Sequence, residues 1–230
     1  MPPCPKRIAA VAVCFSWVLL GSARPQDAVP NKEFRITKIE TAFQKTPDFT
    51  GTGYSKKSRA KAGEWLEIEV NFEWDGPARP DPTDPKAKYT DDLTVNYYVL
   101  LNNKSALYPK PVLLTGSVSH VLVGPAPLKE ARSVIFVSPK DLGIFFGGRV
   151  PATPNAAVAG VGATISVGGK IVAANTTKGS MNPKNPTQGW WDEPSAEAEL
   201  TKVSGVLLDK SQTPFAPLAW DYHEQIKPAK

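Results

Sequence analysis

Residues 63–74 read GEWLEIEVNFEW. Leu66, Ile68, Val70, Phe72 and Trp74 alternate with Trp65, Glu67, Glu69, Asn71 and Glu73. A strand sends successive side chains to opposite faces, so this spacing gathers the apolar residues on one side and the mostly acidic ones on the other. A helix would scatter the same apolar residues around its circumference. Burying them is worth on the order of 10 kcal/mol of gross transfer free energy before the entropy of ordering the chain is subtracted. The outward Glu67, Glu69 and Glu73 give the expectation that the second face is wet. Such a strand needs partners of the same kind.

Working outward, the chain supplies them. Phe34–Gln44 reads as a first strand whose apolar phase shifts between Ile36 and Ile39, the sign of a bulge. A Gly- and Ser-rich loop, Thr46–Ala62, joins it to the central strand. On the other side Asp75–Thr90 carries Pro77, Pro80, Pro82 and Pro85 and cannot be a central strand. Leu93–Leu101 repeats the alternation, and Asn102-Asn103 turns the chain. Val112–Val123 is a weaker strand interrupted by Gly116, and Ser133–Val137 is a short β-branched run. Ser138-Pro139 reads as an N-cap followed by Pro at the first helical position, with Gly147-Gly148 ending the helix within a turn or two. Val158–Ala174 is a hairpin about Gly168-Gly169. A loop, Asn175–Gly189, leads to Trp190-Trp191 and then to a last strand, Val203–Leu208. Pro214 and Pro217 give Thr213–Tyr222 an extended, strap-like path.

Short strands, frequent turn signals and little helix point to an all-β fold. The expected architecture is an immunoglobulin-like antiparallel β-sandwich of seven to eight strands, with long loops and one short helix. An up-and-down barrel is the alternative.

The front of the chain reads as an address. Lys6 and Arg7 precede the apolar run Ile8–Leu20, and Gly21-Ser22-Ala23 offers small residues at a cleavage site. Residues 1–23 are therefore expected to be a signal peptide, too short for a comfortable membrane span. Residues 24–32 form a polar lead-in, and 33–225 the sandwich with its C-terminal strap. Both cysteines, Cys4 and Cys14, belong to the signal, which excludes a disulfide framework and a thiol nucleophile from the mature chain. Without Lys6 and Arg7, 25 basic residues face 22 acidic ones, a mild +3 that argues against nucleic acid as a partner. The expected location is periplasmic, at the cell surface or outer membrane, or secreted, with no transmembrane segment after signal removal.

Chemistry is sparse. The chain's two histidines, His120 and His223, read as hydrogen-bonded surface or rim residues, without a G-x-S-x-G elbow nearby. Zinc would want three or four His or Cys ligands. Asp81, Asp84, Asp91 and Asp92 lack calcium-loop spacing and are interrupted by Lys86 and Lys88. Gly168-Gly169-Lys170 lacks the upstream Gly and following Ser or Thr of a phosphate loop. The expectation is a non-catalytic protein without metal or cofactor. Candidate binding residues are Trp65, Trp190, Trp191 and Tyr222, as stacking or packing surfaces, and the basic run Lys56, Lys57, Arg59 and Lys61. A glycan- or ligand-binding module using exposed tryptophans is one reading of them.

Several stretches in order carry a family resemblance: Lys56-Lys57-Ser58-Arg59 before Trp65-Leu66-Glu67, and Phe136-Val137-Ser138-Pro139 before Phe145-Phe146. Trp190-Trp191 and Thr213-Pro214-Phe215-Ala216-Pro217-Leu218-Ala219-Trp220-Asp221-Tyr222 follow. Across about Phe34–Glu224 the chain resembles the verrucomicrobial pilus-like proteins encoded beside type IV pilus assembly genes. The resemblance implies an exported immunoglobulin-like sandwich likened to archaeal pilus subunits, with no known enzymatic activity, and pilus-assembly or envelope proteins as partners. A conventional pilin retains a long N-terminal apolar helix. The short run here, followed by polar residues, points to an accessory or surface role.

Overall fold

The central strand, β2 (Glu64–Trp74), lies between β1 (Phe34–Lys45) and β5 (Leu128–Val137). This computed structural model describes residues 33–47, 63–77, 83, 88–103, 105–182, 185–193, 199–219 and 221–227. The expected signal peptide and lead-in lie outside these residues. Among the described residues no helix is long and apolar enough to cross a membrane, which says nothing of β-barrels.

Among the described residues nine strands form two sheets. The first runs β1-β2-β5-β9, with β9 at Leu208–Asp209. The second runs β7-β6-β3-β4-β8, built from β3 (Leu93–Leu101), β4 (Val112–His120), β6 (Val158–Val167), β7 (Lys170–Thr176) and β8 (Thr201–Ser204). Taken as A-B-E and G-F-C-C′, the first seven strands reproduce the immunoglobulin order. The two C-terminal strands are additions, and β9 takes the place beside β5 that strand D holds in that order.

The alternation decides the core. Leu66, Ile68, Val70 and Phe72 are fully buried against Leu93, Val95, Tyr97 and Val99 from the facing sheet. Trp74 closes one end, stacked on Phe34 at 5.5 Å. The expected bulge in β1 appears as a register shift between Ile36 and Lys38. The helix α1 (Pro139–Phe145) starts as its residues dictate, with the Ser138 Oγ accepting from the Asp141 N–H at 3.1 Å.

Five expectations need correction. The described residues hold nine strands rather than seven or eight, and a second short helix, α2 (Pro154–Ala157), precedes β6. The expected strand Val203–Leu208 is two strands in different sheets. Gly205, at φ +77°, lies between them where the chain crosses over. β8 runs parallel to β4, so the sandwich is not wholly antiparallel. Gly116 does not break β4: a Cβ there would stand 2.7 Å from the Leu207 Cβ, so the glycine makes room for the crossing chain.

Candidate functional site

The outer face of β2 is not wet as its glutamates led one to expect. After β9 the chain makes a 3-10 turn at Lys210–Gln212 and crosses this face as a strap. It returns to the edge of β5, where the Glu224 N–H donates to the Arg132 carbonyl at 2.9 Å. It then pairs with the end of β4, through Val121 N–H to the Gln225 carbonyl at 3.0 Å and Lys227 N–H to the Ser119 carbonyl at 2.7 Å. The strap thus ties both sheets together.

Its underside has an aromatic end and a charged middle. Phe215 stacks on Phe136 with centroids 4.8 Å apart and meets the edge of Trp65 at 5.9 Å. Beyond it, Glu69 is only 9% exposed. Its Oε2 lies 3.2 Å from His223 Nε2 and its Oε1 3.8 Å from Arg132 Nε, while Arg132 also lies 4.2 Å from the Tyr222 ring centroid. The Lys210 ammonium donates to the Ala219 carbonyl at 2.7 Å and approaches His223 Nδ1 at 3.4 Å. Since Lys210 can only donate, His223 accepts at Nδ1 and carries its proton on Nε2, facing Glu69. Burial pushes the Lys210 ammonium below its ordinary range and the Glu67 carboxyl above its own.

A second polar group lies deeper, between the sheets. The Tyr97 hydroxyl bonds to Ser133 Oγ at 2.7 Å, Ser133 Oγ to His120 Nε2 at 2.8 Å, and His120 Nδ1 to the Glu224 carbonyl at 3.2 Å. Burial pulls the His120 pKa down to about 4, so the imidazole is neutral near pH 7. The Glu224 carbonyl can only accept, which puts the proton on Nδ1. Ser133 then donates to Nε2, and Tyr97 donates to Ser133. Every member is satisfied. Ser133 is 0% and His120 1% exposed, so the Ser–His pair is sealed from any substrate in this arrangement. The expected rim histidine at 120 is a core residue because the strap closes over it.

The candidate residues do not converge. Trp65 is half-buried under Phe215, and its Nε1 donates to Thr46 Oγ1 at 3.1 Å. Trp191 is 1% exposed and stacked on Tyr98 at 4.7 Å. It fits only because residues 162 and 189 are glycines, whose added Cβ atoms would stand 2.0 and 2.3 Å from its ring. Trp190 is half-buried, donating to Thr176 Oγ1 at 2.9 Å. Only Tyr222 is exposed, above Arg132. These rings therefore form no exposed row, and Trp191 offers no face to a ligand. Lys56, Lys57, Arg59 and Lys61 lie outside the described residues. Sequence reasoning did not find Lys210, Ser133, Arg132 or Tyr97. The outward placement of Glu69 and the strap-like path given to Thr213–Tyr222 were the signals that pointed toward this region.

Two concavities accompany this arrangement. One, of about 470 Å³, lies along the seam between β1 and β6, with Lys38, Glu40, Asn155 and Val158 in its wall. The other, of about 420 Å³, is formed within the strap itself.

A protein-family model matches residues 25–230. None of the curated proteins searched matches the chain. Among solved structures, a crystal structure of a protein from Akkermansia muciniphila is 21% identical, covers 85% of this chain and 94% of its own, and superposes with a TM-score of 0.63. At that identity the likeness is one of fold.

Proposed function

The chain belongs to the family whose model spans residues 25–230, and from that premise we propose that it is an exported, non-catalytic accessory or surface component of a type IV pilus-like system. It acts through protein–protein contacts. The ordered motifs from Lys56 to Tyr222 support the reading, as does the fold shared with a protein of Akkermansia muciniphila. One observation carries it furthest. The C-terminal stretch of the resemblance lays Phe215 over Phe136 and Trp65, and the continuation of the same strap at Glu224 seals the Ser133–His120 pair that could be mistaken for a catalytic dyad. What the fold then presents is surface and loops, the equipment of a protein that meets other proteins.

The test is affinity capture with the tagged full chain expressed in its own envelope, after mild crosslinking. Recovery of pilus-assembly proteins above an unrelated exported control is the expected result. Their absence from the crosslinked material sinks the reading.

A further inference from the structure

The cavity within the strap carries two opposite charges that do not neutralise one another. Its wall includes Lys210, Ala216, His223, Glu224 and Ile226, around about 420 Å³. Lys210 is only 6% exposed, and its hydrogen bonds go to a backbone carbonyl and an imidazole nitrogen, both neutral. Asp221 and Glu67 act on it only through space. On the same cavity, Glu224 has its backbone fixed by the bonds to Arg132 and His120. Burial raises its carboxyl, and among the described residues no hydrogen bond or neighbouring charge contributes. Neither group perturbs the other, although both line one cavity.

A desolvated charge without a contacting counter-charge is unfavourable, and a ligand that supplies one recovers that free energy. Two such groups of opposite sign on one cavity, with Ala216 and Ile226 between polar neighbours, describe the complement of a small zwitterion. We propose that this cavity binds a zwitterionic ligand of the amino-acid or short-peptide class, its carboxylate toward Lys210 and its ammonium toward Glu224. The volume suits a molecule of that size. The proposal is independent of the pilus reading, since it needs only the folded strap.

The experiment is a titration of the isotopically labelled mature chain, followed by amide chemical shifts. The probes are L-leucine and the dipeptide Ala-Ala, with isovalerate and isobutylamine as carriers of one charge each. Saturable shifts centred on Ala216 and residues 223–226 are expected with a zwitterion, and binding at least about tenfold weaker with either single-charge probe. Comparing L-leucine with Ala-Ala separates a free amino acid from a peptide. Glu224→Gln leaves the backbone bonds of residue 224 in place and is expected to weaken binding by about tenfold or more. Lys210→Met does the same, with His120 and Glu69 amide shifts reporting whether the strap stays docked. No saturable shift with either zwitterion overturns the proposal. So does isovalerate binding as tightly as L-leucine, or Glu224→Gln binding like the parent.

Discussion

The two faces of β2 are both covered, but by different physics. On the inner face Leu66, Ile68, Val70 and Phe72 meet the opposite sheet with no measurable exposure, and removal of hydrocarbon from water holds them there. On the outer face the cover is a segment far away in sequence, and its underside is mixed: Phe215 on Trp65 and Phe136, then His223 and Arg132 around Glu69. The Arg132–Glu69 ion pair and the His223–Glu69 hydrogen bond contribute little net stability, because desolvation offsets most of their attraction. They do fix position, since Glu69 accepts only a strap whose His223 arrives at the right place. The inner face makes the fold stable. The outer one makes the strap's docking specific.

If that division is right, the largest loss comes from the inner face. Phe72→Ala should cost about 3–5 kcal/mol, the transfer term plus a cavity that the rigid facing sheet cannot close. Urea unfolding followed by tryptophan fluorescence measures it. A loss under about 1 kcal/mol would mean that the inner face is not what holds the sandwich.

The next effect is at His120, where the strap meets the inner core. Its folded pKa of about 4 is below the ordinary imidazole value of 6.5, so the unfolded chain takes up the proton first as pH falls. The stability that neutral His120 contributes is fully present above pH 6.5 and is lost progressively between 6.5 and 4, by about 3 kcal/mol in total. Glu67 and Glu224 act in the opposite direction, since a raised carboxyl pKa favours the folded state in acid. The measurement is therefore a comparison of unfolding free energies across that range between the parent and His120→Asn. The variant should show a flatter acid limb. Parallel limbs would mean that His120 is not the group being titrated.

These two regions also separate what could be read in advance from what could not. Period-two alternation placed β2 and β3 and the inner core, because a strand's geometry is local. Ser138-Pro139 and Gly168-Gly169 likewise declared α1 and the β6–β7 hairpin through backbone preferences of their own residues. Glu67 and Glu69 misled, because a strand pattern says which side a residue faces but not what a chain end 154 residues away from Glu69 will lay over it. His120 misled for the same reason, its partners being Ser133 and the Glu224 carbonyl. Val203–Leu208 looked like one strand because Gly205 and the room left by Gly116, which send the chain between sheets, act only in the assembled sandwich. Trp190-Trp191 drew attention as exposed candidates by composition. The glycines at 162 and 189 that admit Trp191 to the interior are unremarkable until they are brought together.

The smallest effect tests whether the two faces unfold together. Phe215→Ala removes a ring 8% exposed that stacks on Phe136 and meets Trp65 edge-on, and should cost about 2 kcal/mol, less than Phe72→Ala because the strap's edge can settle into the space. Arg35→Ala, which breaks the exposed surface pair with Glu73, sets the floor of the same series. Amide hydrogen exchange then shows where the Phe215 loss falls. If the outer cover is a separately opening unit, exchange accelerates at Glu224 and Lys227, whose N–H groups bond to β5 and β4, while amides of Ile68 and Val70 keep their protection. If the β2 amides accelerate equally, strap and core are one cooperative unit. The charged middle would then transmit docking to the whole sandwich. In that case the division between stability and specificity along β2 would have to be redrawn, with Glu69 and His223 counted among the groups that hold the fold.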